Sequence, residues 1–459
     1  MSSTDTSLAP PGGKAAARTA DFEDVVPPCL TQLRWPRPRD LLRSPSLLAL
    51  ADQGLVSATR FATSIIIGRF CGPSELGQYA VVFAILLLAL CTQEAVVARP
   101  YTIYRQHLSG PALRLYSGSV LAHHGVFACT FALLACAGAG TLHLAQDGPA
   151  HLSAVMLLMA ALVPFTLVWD LARRLAFARL QMGHAVLLDL TLAALQLGGL
   201  LVLAWLGSLS LITAMAVIAA VTGLVGVATI ALRRHEFLVE QAAAARDWSR
   251  NWSFGRWVLA GQIAGTLHGY AVPWVLTLTL GAKLTGIFVA AQTIALLTNP
   301  LILGLSNWLA PRSAQELTAT GHRGAARVVW GATAAVAVTM AAFALATMIF
   351  GELLLVLVFG RQYAGYGALV GLFGICTIPW GIATSVSTGL VALGRTRALF
   401  QGTVSGLSAT LALVVPLSLN WQLTGAALAL LAGSTISALY FLITFHGELR
   451  RLERSGAPG

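Results

Sequence analysis

The sequence predicts an all-α polytopic membrane protein with about twelve transmembrane helices in two parallel six-helix lobes. Three observations predict it. Of 459 residues, 57% are hydrophobic and only 10% charged, against roughly 25% charged in soluble domains; the mean hydropathy is +0.76. Beyond residue 46 the chain divides into apolar runs of about 20 residues, the length that crosses a bilayer core. A shift of about 209 residues superposes parts of its two halves, the mark of an internal repeat.

The apolar runs lie near 47–69, 76–98, 115–141, 152–172, 184–206, 209–232, 256–280, 284–309, 326–350, 366–392, 398–419 and 424–446. Residues 1–46 hold seven prolines and mixed charge without helical periodicity, which predicts a disordered tail. No short apolar core with a cleavage site precedes residue 47, so no signal peptide is expected. The stretch 352–360 (ELLLVLVFG) is apolar but too short to span, and reads as an external elbow. The plan is therefore a tail (1–46), a first lobe (47–233), a cytoplasmic linker (234–255), a second lobe (256–446) and a final tail (447–459).

The charge pattern fixes the expected orientation. With both termini inside, 25 of the 29 basic residues fall in cytoplasmic segments, among them Arg99, Arg173, Arg174, Arg233 and Arg395. Only Arg69, Lys283 and Arg361 fall outside, as the positive-inside rule requires. The net charge of +11 is thus topological, and nucleic acid is not an expected partner. The external loops are short, as at 207–210 and 420–422, and leave no room for the large external loop of membrane glycosyltransferases.

The repeat pairs GPSELGQYAVVFAILLLA at 72–89 with GAKLTGIFVAAQTIALLT at 281–298. Gly72 meets Gly281, Gly77 meets Gly286, Tyr79 meets Phe288, and Gln53 meets Gln262. With six spans in each repeat, the halves point the same way through the membrane, an architecture transporters use with a site between the repeats.

Several segments resemble one family. IGRFCGPSELGQYAV at 67–81 is similar to the junction of the first two helices of bacterial polysaccharide flippases, and LLLVLVFGRQYAGY at 353–366 resembles their external elbow. GLVALGRTRALF at 389–400 resembles the turn after their tenth helix, and LTNPLILGLSNWLAPRSAQ at 297–315 their eighth helix and its exit. The resemblance, from about residue 47 onward, is to the O-antigen and exopolysaccharide flippase branch of the multidrug/oligosaccharidyl-lipid/polysaccharide exporter superfamily. It implies two six-helix lobes around a central cavity, in a multi-pass protein of the bacterial inner membrane that translocates polyprenyl-pyrophosphate-linked saccharide for surface polysaccharide synthesis. It further implies membrane lipids, a polysaccharide polymerase and assembly proteins as partners. The family has no short catalytic motif, so no site residue transfers by signature.

The candidate site comes from polar residues inside the spans, where a charge is expensive and marks function or pairing. Gln53, Ser57, Arg60 and Ser64 recur along one face of the first span, bordered by Asp52, Thr59 and Thr63. Arg60 sits near the midplane; it is either a cavity cation for pyrophosphate or half of an ion pair, for instance with Asp52. The equivalent seventh span carries Gln262 and His268, which falls beside Arg60 under the repeat shift. His268 is either a cargo contact or a hydrogen-bonded neutral imidazole. Four acids, Asp52, Glu94, Asp170 and Asp189, lie in or at the ends of spans. Asp170 and Glu94 have local arginine partners; Asp189, with Asp52 second, is the candidate for coupling to a proton or sodium gradient.

The six cysteines are scattered without zinc-ligand or redox spacing, and neither a metal nor another cofactor is expected. No catalytic constellation or nucleotide-binding loop is present, so the chain reads as a transporter and not an enzyme. Two alternatives compete with the flippase. An ion-coupled multidrug antiporter of the same superfamily calls for an acidic cavity, whereas the first-span stripe carries an arginine. A membrane-embedded glycosyl- or acyltransferase is permitted by the midspan histidines and opposed by the short external loops.

Overall fold

The computed structural model describes residues 45–144 and 150–454; the expected N-terminal tail lies outside them except for its last two residues, which open a helix. Every regular element among the described residues is helical. The first six rods are α1 (Pro45–Phe70), α2 (Pro73–Gln93, continued by a π-turn at Glu94–Ala98 and Arg99–Tyr104), α3 (Gly110–Leu144), α4 (Ala150–Ala178), α5 (Met182–Trp205) and α6 (Leu211–Leu232). The second six are α7 (Gln241–Thr279), α8 (282–320), α9 (322–359), α10 (Gly367–Ala392), α11 (396–420) and α12 (423–454).

Among the described residues, eight continuous helices are long and apolar enough to cross a membrane, and two of them run for 78 and 59 residues. Each of those two doubles back. Gly321, at φ 70° and ψ −166°, ends α8, and Ile302 before it packs beside Val336 and Met340 after it. Trp421 and Gln422 break the second run. There Gly402 meets Phe441 and Gly406 meets Ser437, the pairing of an antiparallel hairpin. α1 and α7, which carry more polar residues, complete the twelve rods.

Local chemistry sets the helix ends. Gly72 and Gly281 cap the starts of α2 and α8 at φ 94° and 86° with extended ψ, a region that residues with a Cβ avoid. The two matched glycines of the repeat therefore do the same task twice. Ser210 and Thr213 form a capping box at the start of α6, and Glu75 accepts the Leu211 N–H at 2.5 Å. Prolines 164, 273, 311, 379 and 416 sit inside helices, where each removes one backbone hydrogen bond.

Two sequence expectations are corrected. Residues 352–359 are not an elbow but the last turns of α9. The elbow is 360–366, with left-handed Gly360 and Gly365, and the Glu352 carboxylate holds it by accepting the N–H groups of Gly365 and Gly367. The segment 234–255, expected as a linker, is helical from Gln241 onward. It lies along α3: a Cβ on Gly118 would strike the Leu238 carbonyl, Tyr116 donates to Asn251 at 2.9 Å, and His123 bonds the Ala244 carbonyl. The C-terminal helix likewise runs through Arg454 into the expected tail.

α1, α4, α5 and α6 pack largely on one another, with α3 against α4, and α9 to α12 pack on one another, whereas α7 lies against both α11–α12 and the first-half helices α2 and α3. α2 and α8 cross between the halves, with Gly77 against Gly286: a Cβ on Gly77 would lie 2.0 Å from the Ala282 oxygen, and one on Gly286 1.7 Å from the Pro73 oxygen. Small residues permit such backbone approach within membranes.

Candidate functional site

The polar stripe of α1 faces a cavity of about 310 Å³ bounded by α1, α2, α7 and α8. Ser57, Arg60 and Ser64 line it as the spacing predicts, with Gly54 alongside. The Arg60 guanidinium lies over the Phe83 ring, 5.7 Å from its centroid. Phe83 is held in turn by Tyr79, stacked at 5.9 Å, and by Tyr270, edge-on at 6.1 Å. A cation–π contact fixes a guanidinium without neutralising it.

The alternative partner proposed for Arg60 is already engaged. Asp52 binds Arg173 of α4 instead, and so does Asp189 of α5, at 2.6 Å. Both carboxylates are fully buried, and one oxygen of each, Oδ1, is without a hydrogen-bond partner. Beside this trio, Arg174 bridges Asp170 at 2.7 Å and Glu94 at 2.9 Å, and Arg99 also pairs with Glu94. Gln93 reaches the Leu167 carbonyl at 2.8 Å, and its Oε1 meets His124 Nδ1 at 2.7 Å. His123 and His124 therefore serve packing. Asp189 has no arginine close to it on its own helix, and its partner Arg173 comes from α4.

A vestibule of about 1010 Å³ opens at the end of the bundle where α1 begins, lined by Gln53, Glu94, Arg99, Arg173, Arg174 and Asn307. Gln53 thus belongs to the entrance rather than to the Arg60 chamber. The π-turn at Glu94–Ala98 aims Glu94, Ala98 and Arg99 at this space, a frequent use of such turns.

A third space, of about 290 Å³, continues from the Arg60 chamber, sharing Tyr270, Gln292, Leu296 and Asn299 with it. His268 lines it together with Thr377, Trp380 and Ser434. The His268 Nδ1 has no hydrogen-bond partner among the described residues. Gln262, one helical turn and a half before it, lines neither chamber and leaves its Oε1 unpartnered. The sequence reasoning missed Tyr270, Gln292, Trp380 and Ser434; Tyr270, two residues after His268, was the one signal within reach.

The opposite end of the bundle is closed. Besides the Gly77–Gly286 crossing, Arg69 at the end of α1 donates to the Leu357 and Val358 carbonyls at 2.6 and 3.2 Å. Gln362 and Tyr363 of the elbow donate to the Gly68 carbonyl, each at 2.9 Å. At this turn burial, reinforced by Glu75, pushes the Cys71 thiol up to about 12.

Twelve helical rods among the described residues, set around an interior polar cavity, define a polytopic helical membrane protein. Residues 46–315 match the Polysaccharide biosynthesis protein family, and the chain belongs to that family. No curated protein sequence matches it. Among solved structures it is similar to an inward-facing multidrug resistance MATE family transporter of the MOP superfamily, with TM-score 0.72 and 12% identity over 87% of this chain and 96% of the other. An outward-facing form of such a transporter gives 0.55 at 12% identity, over 91% and 99%. A MOP superfamily transporter from Pyrococcus furiosus, described as having a binding pocket of reverse polarity, gives 0.60 at 11% identity, over 91% and 97%. At these identities the likeness establishes the fold.

Proposed function

We propose that this protein is a flippase that carries polyprenyl-pyrophosphate-linked oligosaccharide across the inner membrane by alternating access, with its vestibule facing the cytoplasm. The observation that carries this reading is the charge state of the cavity. Every arginine lining the vestibule is matched by a carboxylate, whereas Arg60 lines the inner chamber in no ion pair with any described residue; no acid lines that chamber or the third space, and Asp189, which shares a smaller space of about 60 Å³ with Arg60, is bound to Arg173. An unpaired cation at membrane depth is costly, and a pyrophosphate arriving there offsets that cost by a charge-assisted, bidentate contact.

The same observation opposes an antiporter for cationic drugs, which needs the reverse sign in its cavity. Both termini inside follows from the positive-inside count. The polyprenyl tail stays in the lipid while the headgroup enters between the helices.

The test is translocation by purified protein in liposomes, using a polyprenyl-pyrophosphate-linked saccharide whose outer-leaflet appearance is followed by enzymatic capture. Arg60→Ala should lower the rate at least about tenfold, since a charged hydrogen bond is worth roughly 1.5–3 kcal/mol, with Arg60→Lys intermediate. Unchanged transport by a folded Arg60→Ala protein would overturn the reading, as would efflux of a cationic dye by the wild type.

A further inference from the structure

The third space differs in chemistry from the Arg60 chamber that it adjoins. No aspartate, glutamate, lysine or arginine lines it. It offers the Trp380 and Tyr270 rings together with neutral polar groups on α7, α8, α10 and α12. Thr377 donates its hydroxyl to the Gly374 carbonyl at 2.6 Å. In contrast, the side chains of Gln292, Asn299 and Ser434 make no hydrogen bond to any described residue, and the His268 Nδ1 has none either. Polar groups at membrane depth are normally paired within the protein, because leaving one unpaired costs several kcal/mol. Four unpaired groups converging on one space are complementary to a ligand that is rich in hydrogen-bonding groups.

Part of the α7 wall is kept bare. Gly265 and Gly269 line the space one turn apart on α7, and a Cβ at either would meet nothing within 4 Å. The vacancy belongs to the folded chain and is not a packing defect that neighbours have collapsed into.

From this we infer that the space lined by His268, Gln292, Asn299, Trp380 and Ser434 is a binding subsite for an uncharged sugar ring, the one joined directly to the pyrophosphate. The inference rests on the proposed headgroup contact at Arg60. An amide donates and accepts at once, as a sugar hydroxyl does, and an aromatic ring covers the apolar C–H face of a pyranose. The two spaces share Tyr270, Gln292 and Asn299, so a phosphate in one and its attached sugar in the other occupy neighbouring positions. A uronic acid has no cation to meet in the sugar space, and burying an unpaired carboxylate is strongly unfavourable.

The experiment compares three lipids as competitors for binding to the purified full-length protein: polyprenyl pyrophosphate alone, the same lipid bearing one hexose, and the same lipid bearing one hexuronic acid. The hexose lipid should bind about tenfold more tightly than the bare lipid, the gain from one or two neutral hydrogen bonds. The hexuronic acid lipid should show no gain. Gly265→Leu should abolish the hexose gain and Ser434→Ala should reduce it, each at a residue that lines the third space and not the Arg60 chamber, while leaving the bare lipid within about twofold of wild type. Gly265→Leu is the safeguard on folding, since its side chain enters open space. The subsite is overturned if the bare lipid binds but hexose adds nothing, if hexuronic acid gains as much as hexose, or if the variants weaken all three lipids equally. If the wild type binds none of the three above a phospholipid control, the headgroup reading fails and the subsite falls with it.

Discussion

Gly77 of α2 and Gly286 of α8 lie face to face where the two helices cross, each backbone occupying the place where the other's side chain would be. The pair is also the pair that the internal repeat aligns. A contact between equivalent residues of two repeats lies at the axis that relates them, and in an alternating-access cycle the halves would turn about this crossing.

Filling that contact should open the sealed end. Gly286→Val puts a branched side chain where even a Cβ is 1.7 Å from the Pro73 oxygen, which forces α2 and α8 apart. The expected outcome is a normally inserted protein with transport reduced at least about tenfold, read in the liposome assay, because a shifted conformational equilibrium lowers the competent fraction directly. Transport at wild-type rate would refute the role of the crossing.

The Arg69 bonds to the Leu357 and Val358 carbonyls give a second handle on the same closure. In Arg69→Ala the turn at Cys71 should loosen. The Cys71 thiol is pushed up to about 12 chiefly by burial, so in the closed form almost none is thiolate near pH 8, and the thiolate is the reactive species. Opening returns the thiol toward its ordinary value of about 8.5, and the alkylation profile therefore moves to lower pH. Maleimide labelling at pH 8, in a protein with Cys71 as its only cysteine, should be several-fold faster in Arg69→Ala. Equal rates would dismiss the latch.

Arg173 holds two buried carboxylates, and its removal leaves both unpaired. Arg173→Met should cost about 3–5 kcal/mol, the usual loss when one member of a buried ionic group is deleted. Thermal unfolding in detergent reads this as a lowered midpoint. Adding Asp52→Asn and Asp189→Asn to Arg173→Met should recover most of the loss, because no charge is then left stranded. A triple variant no more stable than the single one would show that the trio matters for shape and not for charge.

Two carboxylates on one guanidinium leave one negative charge over, which a bound proton would neutralise. If this trio couples transport to a proton gradient, Asp189→Asn removes the surplus charge while Asp52 keeps its bond to Arg173. The variant should exchange substrate across the membrane but lose the acceleration that an imposed pH gradient gives the wild type. Retention of that acceleration would exclude Asp189 from coupling.

The twelve rods were legible because each crossing needs its own apolar run, and the repeat was legible because Gly72 and Gly281 meet a backbone demand that other residues satisfy poorly. The Arg60 stripe was legible because its periodicity lies within one helix. What stayed hidden is what the chain assembles from distant segments. Gln292, Trp380 and Ser434 come from three helices and carry no common spacing. Arg173 was visible only as the local partner of Asp170, whereas it reaches across to α1 and α5. Residues 352–359 were misread because a short apolar run looks like a fragment until it is joined to the helix before it.

The bare positions Gly54, Gly265 and Gly269, none with a neighbour within 4 Å of a notional Cβ, bear on how such a protein diversifies. Most interior positions of a packed bundle resist change, because a new side chain must displace an old one. At these three a single codon change reshapes the cavity and leaves the scaffold alone. A lineage that meets a new surface glycan can then adjust its carrier in small, separately tolerable steps, without first passing through an unstable fold.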